Sequence, residues 1–189
     1  LDIGAGNLQF LKICKKNGVK RLYGIEPGSN LGESKEFHVI TEFSDEIPSH
    51  IRELSLITMW DSLEHIHGPQ KIIKSCYDSL QMGGVLIILV PNFDSLASRL
   101  IREKSPTFCI YHLNYYTDRS LSKLLADNGF DILQKETVIS EIDNCRNYLE
   151  FKEPYLSQPS NEVAFDWLSP DYIHDNMLGS RLFFIAKKR

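Results

Sequence analysis

An apolar strand that breaks into two closely spaced glycines constrains the fold of this chain more than any other feature. The first residues read Leu-Asp-Ile-Gly-Ala-Gly-Asn-Leu-Gln, with Gly4 and Gly6 one residue apart. Such glycines let backbone N–H groups approach a ligand that a Cβ would exclude, and the following helix directs its positive N-terminus to the same place. Glu26 ends the next apolar stretch, about 20 residues on, where a carboxylate can accept hydrogen bonds from a ribose diol. The pattern predicts a nucleotide-cofactor site.

Two further residues choose among nucleotide cofactors. A dinucleotide site uses G-x-G-x-x-G, and Gln9 stands where the third glycine, or an alanine, is expected. Asp2 lies inside the strand, where a purely structural buried strand would carry Val or Ile, and a buried carboxylate is costly unless it is paired. Its natural partner is a cation, and S-adenosylmethionine carries both an α-amino group and a sulfonium. These residues disfavour a nicotinamide cofactor and favour S-adenosylmethionine.

Four ordered stretches resemble the class I S-adenosylmethionine-dependent methyltransferases, in the small-molecule form similar to those of quinone biosynthesis. Residues 2–8 resemble the motif D-x-G-x-G-x-G, with Leu8 in place of the last glycine. The other three stretches are residues 55–66, 83–92 and 112–130, so the resemblance covers nearly the whole chain. It implies an α/β fold with a doubly wound, Rossmann-like seven-stranded sheet of order 3-2-1-4-5-7-6, in which strand seven is antiparallel.

The bulk properties are those of one α/β domain. The chain has 189 residues, 42% of them apolar, and a formal net charge of −4, which argues against a nucleic-acid partner held by phosphate neutralisation. Cys14, Cys76, Cys109 and Cys145 are widely separated, as in reduced cytoplasmic proteins, and the longest apolar run is far short of a membrane span. We expect a single cytoplasmic methyltransferase domain over residues 1–189 that lacks its N-terminal part. The sequence leaves the oligomeric state open.

Strands and helices alternate along the chain. The spacing of apolar residues, together with glycine, proline and capping residues, predicts helices over residues 8–17, 69–80, 95–102 and 118–127. The last of these follows a Thr117 N-cap. Strands are predicted over residues 21–26, 37–43, 54–59, 130–138 and 180–187, with one more after the Gly83-Gly84 stop. Such alternation implies a parallel sheet, and ligands bind at the carboxyl ends of its strands.

The candidate cofactor-binding residues therefore lie at predicted strand ends. They are Asp2, Gly4, Ala5, Gly6, Asn7, Glu26, Pro27, Phe43, Ser44, Trp60, Asp61 and Leu63. The resemblance implies that Phe43 packs against the purine. Trp60 and Leu63 either flank the adenine and the methionine moiety or are ordinary core and rim residues.

His65, just past the fourth predicted strand, is the candidate catalytic residue. Imidazole titrates near neutral pH, which suits removal of a proton from a hydroxyl as the methyl group arrives, but a hydrogen-bonded loop histidine is the simpler alternative. Glu64 could orient His65 or bind a metal. His65 and His67 lack a third nearby ligand in the sequence, so no metal site is expected. His112 either lines a substrate pocket or caps local structure.

The sequence thus indicates a methyltransferase with S-adenosylmethionine as cofactor and a small-molecule acceptor. The alternatives are a catalytically silent cofactor-binding module and a nicotinamide-dependent oxidoreductase. Residues 141–175, an expected insertion between strands six and seven, hold eight acidic residues against two basic ones, together with six aromatic residues. Aromatic faces among carboxylates suit a sugar or nucleotide-sugar acceptor, whereas the simpler interpretation is a solvated segment packed on the sheet edge.

Overall fold

A computed structural model describes residues 1–27, 37–41, 45–158 and 168–189. Within these residues, seven strands form one sheet of order β3-β2-β1-β4-β5-β7-β6. The strands are β1 (Asp2–Ile3), β2 (Tyr23–Ile25), β3 (His38–Ile40), β4 (Leu54–Trp60), β5 (Leu80–Pro91), β6 (Phe130–Val138) and β7 (Arg181–Lys188). The first five strands are parallel, and β7 runs antiparallel to β5 and β6. The predicted fold class, strand order and direction of strand seven are confirmed.

Helices cover the two faces of the sheet unequally. They are α1 (Gln9–Lys16), α2 (Pro69–Ser79), α3 (Leu96–Ile101), α4 (Asp118–Asp127), α5 (Ile142–Leu149) and α6 (Pro170–Asp175). The main core contains α2 and α4 side chains packed with buried residues of β4 and β5, whereas α1 covers a smaller cluster over β2. In the described part of the chain, none of the helices is long and apolar enough to cross a membrane.

The most regular predicted elements agree with the structure. Helix α4 and strand β6 have the predicted bounds, and the Thr117 side chain accepts a hydrogen bond from the Ser120 backbone in a reciprocal capping box. The predicted stop at Gly83-Gly84 is wrong, because β5 begins at Leu80 and runs through both glycines after a register shift against β4. Strand β3 is shorter than predicted, ending at Ile40.

The described part of residues 141–175 packs against the domain. Ile142, Leu168 and Ile173 form a buried cluster, and Cys145 of α5 is buried against Ala97 and Ile101 of α3. The apolar contacts of this segment therefore contribute to the domain's core. The boundaries of the insertion remain a prediction.

Leu8, which replaces the last glycine of the motif, has a strained backbone conformation. Its backbone φ is 62°, in the left-handed region that favours glycine, yet its side chain is only 4% exposed and packs with Ala5, Leu11 and Phe37. A left-handed conformation costs an L-residue about 1–2 kcal/mol, whereas burying a leucine stabilises a fold by about 1.5–3 kcal/mol. Burial thus outweighs the strain.

This balance predicts an unusual order of stability for two variants at Leu8. Leu8→Ala loses the burial and keeps the positive φ, whereas Leu8→Gly loses the burial and relieves the strain. We expect Leu8→Gly to be the more stable of the two by about 1 kcal/mol, with both less stable than the parent, as measured by urea unfolding. A more stable alanine variant would contradict the left-handed backbone at this position.

Candidate cofactor site

The glycine turn is packed against the ends of two neighbouring strands. The backbone N–H groups of Gly4 and Ala5 both donate to the Ile25 carbonyl at the end of β2, at 2.8 and 3.1 Å. The Ser62 hydroxyl, just past β4, donates to the Ile3 carbonyl at 2.8 Å. Gly4 has a φ of 77°, and a Cβ built on it would overlap the Ser62 Cβ. Only glycine fits at position 4 without a shift of the β4 end.

Glu26 closes the turn from the tip of β2. Its Oε2 accepts a hydrogen bond from the Gly6 N–H at 2.7 Å, and its own backbone N–H donates to the Ile40 carbonyl of β3 at 2.9 Å. In the described part of the chain, no atom lies within 4 Å of the position that a Cβ would take at Gly6. The carboxylate is therefore fixed beside an open space above the second glycine.

A cleft of about 350 Å³ opens between these strand ends. Its lining residues are Ile3, Gly4, Ile25, Glu26, Pro27, Asp61, Ser62, His65 and Ile66. The volume falls within the range of ligand pockets, and the position at the carboxyl ends of parallel strands is where open α/β sheets bind their ligands. A larger cavity of about 580 Å³ lies between β2, β3 and α2, but it includes neither glycine of the turn.

The structure brings five of the predicted residues to this cleft: Gly4, Glu26, Pro27, Asp61 and His65. Asp61 is held there by an ion pair with Arg181 of β7 at 2.8 Å. Around the turn, Ala5 is buried against the apolar residues of α1. The Asn7 side chain accepts a hydrogen bond from the Gln9 N–H at 3.1 Å and so satisfies the first backbone N–H of α1. Phe43 and Ser44 lie outside the described residues.

Leu63 and Trp60 do not line the cleft. Leu63 is fully buried in the main core, the position of an ordinary core residue, and its contact with a cofactor remains a prediction. The Trp60 ring packs between Phe10 and Phe183, with ring centroids 5.3 and 6.4 Å away. Successive strand residues point to opposite faces, so that Trp60 faces α1 while Met59 faces the main core.

Asp2 has a partner within the protein. The Thr58 hydroxyl of β4 donates to its carboxylate at 2.7 Å, in a site that is 1% exposed. Burial raises the pKa of Asp2 to about 6, and the Thr58 hydrogen bond opposes that rise. The carboxylate lies beneath the turn and outside the cleft lining, so its expected role as a direct partner of a cofactor cation remains a prediction.

Four lining residues are not among the candidates that the sequence indicates: Ile3, Ile25, Ser62 and Ile66. The three isoleucines look like ordinary strand and turn residues and carry no chemical signal. Ser62 had a weak signal, since it follows Asp61 at the end of a predicted strand. Its contribution is structural, because its hydroxyl anchors the Ile3 carbonyl and its Cβ faces Gly4.

His65 lies in a 3₁₀ turn, Leu63–His65, that a distant loop fixes in place. The backbone N–H groups of Leu113 and Asn114 both donate to the Glu64 carbonyl, at 2.9 and 3.0 Å. The His65 Nδ1 lies 2.8 Å from the Tyr111 carbonyl. The same loop places His112 beside His65, with ring centroids 5.0 Å apart.

Glu64 is buried beside these two histidines. It is 1% exposed, and neither carboxylate oxygen has a hydrogen-bond partner among the described residues. Desolvation raises the pKa of Glu64 to about 7, opposed by its own backbone N–H and by His65 and Arg181 and assisted by the charge of Asp61. The hydroxyl of Tyr116, whose pKa burial and the charge of Glu64 raise, is likewise without a partner. Buried oxygens without a partner among the described residues therefore lie next to His65, which lines the cleft.

Comparison with known proteins places this fold and cleft in a family. The methyltransferase domain family matches residues 1–135, which is more than half of the chain. An uncharacterized protein of Methanocaldococcus jannaschii is 27% identical over 158 residues, covering 82% of this chain and 75% of its own length.

Two solved structures have a similar fold. An S-adenosylmethionine-dependent methyltransferase from Archaeoglobus fulgidus superposes with a TM-score of 0.66 at 20% identity, covering 99% of this chain and 84% of that one. A methyltransferase from Thermotoga maritima, described as a possible histamine N-methyltransferase, gives 0.65 at 15% identity, covering 100% and 80%.

The chain belongs to the methyltransferase domain family. It is a class I S-adenosylmethionine-dependent methyltransferase, and S-adenosylmethionine is its cofactor. The family match favours this class over a nicotinamide-dependent oxidoreductase, and it does not single out the quinone-biosynthesis enzymes. The open space at Gly6 beside a fixed carboxylate fits the cofactor. Glu26 would hold the ribose and the turn at Gly4 would hold the methionine end.

Removing the Glu26 carboxylate tests this arrangement. Glu26→Ala should weaken S-adenosylhomocysteine binding by about 1.5–3 kcal/mol, the range for hydrogen bonds to a charged group. Isothermal titration calorimetry measures the change, and Glu53→Ala, an exposed carboxylate outside the cleft, is the matched control. Unchanged affinity in Glu26→Ala would remove this residue from the cofactor site.

Proposed function

We propose that this methyltransferase modifies a small molecule that binds beside His65. The observation that carries the proposal is the hydrogen bond between the His65 ring and the Tyr111 carbonyl. Its Nδ1 faces the Tyr111 carbonyl, so Nδ1 carries the proton and the lone pair remains on Nε2. The ring lies on the cleft wall with its side chain 43% exposed, so Nε2 is accessible to an acceptor.

The main contribution of the protein to methyl transfer is to position the reacting groups. When bound, the cofactor supplies an electrophilic methyl group on a sulfonium, and transfer is an in-line displacement at that carbon. The chain has to align the acceptor atom and exclude water. His65 would accept a proton from an acceptor hydroxyl or orient that hydroxyl by a hydrogen bond.

A cluster of aromatic side chains extends from the loop that holds His65. Phe93, Phe108 and Tyr115 contact one another with ring centroids 5.5 to 6.0 Å apart, and Phe93 and Tyr115 are exposed. We call these three residues the aromatic cluster. Aromatic faces beside carboxylates suit an acceptor with apolar ring faces and several hydroxyl groups. A sugar or nucleotide-sugar is accordingly the proposed acceptor class.

The acidic segment after β6 supports this class by its position. Glu153 pairs with Lys104 at 3.1 Å, just before the loop that carries Phe108 and Tyr115. The segment thus borders the loop of the aromatic cluster and brings one carboxylate, that of Glu153, to its start.

Substitution of His65 tests its catalytic role. His65→Ala should lower turnover by roughly 10²- to 10⁴-fold if Nε2 is the general base, while cofactor affinity stays nearly constant. His67→Ala, an exposed histidine outside the cleft lining, is the control and should keep the parent's turnover. If His65→Ala turns over within a few-fold of the parent, His65 is a structural loop residue.

The acceptor class is tested with labelled cofactor and a panel of nucleotide-sugars, phenols and amines. We expect methylation of a sugar, and a KM for that sugar raised about 10-fold in Tyr115→Ala, the loss of about 1–1.5 kcal/mol of ring contact. Leu133→Ala, an exposed apolar residue of β6 outside the acidic segment, serves as the control. Methylation of phenols or amines and of no sugar would contradict the proposed class.

A further inference from the structure

Three residues with metal-binding side chains meet beside the cleft, which one of them, His65, lines. Glu64, His65 and His112 each offer one ligand atom, and these atoms all lie within 4.8 Å of one another. Glu64 and His65 are adjacent in the chain, whereas His112 comes from a loop 47 residues further on, docked through the Glu64 carbonyl. The third ligand that the sequence did not place beside His65 is therefore supplied by tertiary structure.

The orientation of both imidazoles is that of metal ligands. The Nδ1 of His65 faces the Tyr111 carbonyl and the Nδ1 of His112 faces the Thr107 carbonyl, each at 2.8 Å. A metal-bound histidine usually donates its other ring N–H to a carbonyl or carboxylate, which fixes the ring and leaves the lone pair for the metal. Both histidines are held in this way, with Nε2 as the remaining ligand atom.

The carboxylate gives an independent reason for a cation. Both oxygens of Glu64 are buried without a hydrogen bond among the described residues, and such groups cost free energy unless something satisfies them. The nearby guanidinium of Arg181 is engaged by Asp61 at 2.8 Å. Glu64 Oε1 lies 3.9 Å from His65 Nε2. A cation between these two atoms would satisfy the carboxylate.

The distances suit a small divalent ion. Zinc binds imidazole nitrogen and carboxylate oxygen at about 2.0–2.2 Å, so two ligand atoms on a tetrahedral ion lie about 3.4 Å apart. The Glu64–His65 pair, at 3.9 Å, exceeds that separation by about 0.5 Å, and the set within 4.8 Å closes by shifts of about 1–1.5 Å. Two imidazoles and one carboxylate form a three-ligand set that leaves a position open for another molecule.

We propose that Glu64, His65 and His112 bind a divalent transition-metal ion, with zinc as the best fit, whose open position faces the cleft. Ion binding needs no acceptor. Its use, which rests on the proposed function, is to hold an oxygen of the acceptor beside the cofactor and to favour that oxygen's deprotonated form. Nε2 of His65 would then act on the acceptor through the ion.

Calorimetric titration of zinc chloride into tag-free, EDTA-treated protein tests the binding. We expect one equivalent of zinc in the parent, with affinity lowered about 100-fold or more in Glu64→Gln and in His112→Ala, beyond the 10- to 100-fold typical of outer-shell partners. His67→Ala, an exposed neighbouring histidine outside the cluster, should bind zinc as the parent does. Circular dichroism confirms that each variant is folded.

Cobalt chloride gives a second readout that needs no variant. Co²⁺ in a four- or five-coordinate nitrogen and oxygen site absorbs in the visible far more strongly than the hydrated ion, and we expect this absorption from the parent. No stoichiometric zinc and no cobalt absorption in the parent, or equal zinc affinity in the parent and both cluster variants, would overturn the proposal. Because these measurements contain neither cofactor nor acceptor, their failure would leave the proposed methyl transfer standing.

Discussion

The close approach of backbone at Gly4 is the contact on which the cofactor cleft depends. Here the ends of β1, β2 and β4 meet: Gly4 donates to the Ile25 carbonyl, and its α-carbon faces Ser62 with no room for a side chain. The Ser62 hydroxyl bonds to the Ile3 carbonyl on the other side of the turn. This packing fixes the direction in which Gly6 and Glu26 face the open space, and therefore the geometry of the proposed cofactor site.

The same strand ends connect the cofactor cleft to the proposed acceptor side. Asp61 and the 3₁₀ turn follow directly after β4. The Glu64 carbonyl of that turn accepts hydrogen bonds from the loop that carries His112 and leads to Tyr115. Parallel strands place these elements at one edge of the sheet, although the loop is far away along the chain. The buried residue Glu64 thus holds the loop of His112 through its backbone carbonyl, while its carboxylate lies beside His65 and His112.

Sequence patterns predicted the alternation of strands and helices because apolar runs, glycines and caps mark the ends of these elements, whereas the strand order follows from the resemblance to class I methyltransferases. The candidate site was predicted less completely, for physical reasons. The sequence leaves Trp60 and Leu63 open between cleft and core, and it takes the structure to show that alternation along β4 turns the Trp60 ring toward α1 and that the 3₁₀ turn buries Leu63. The grouping of His112 with Glu64 and His65 depends on a long-range backbone contact that no local pattern encodes.

The central claim is that the cofactor occupies the cleft above the glycine turn, and a crystal structure of the complex with S-adenosylhomocysteine tests it most directly. The account predicts ligand density with the ribose hydroxyls on the Glu26 carboxylate and the methionine end over the turn at Gly4. Density in the larger cavity beside Arg52 and Lys71, with the glycine cleft empty, would contradict it.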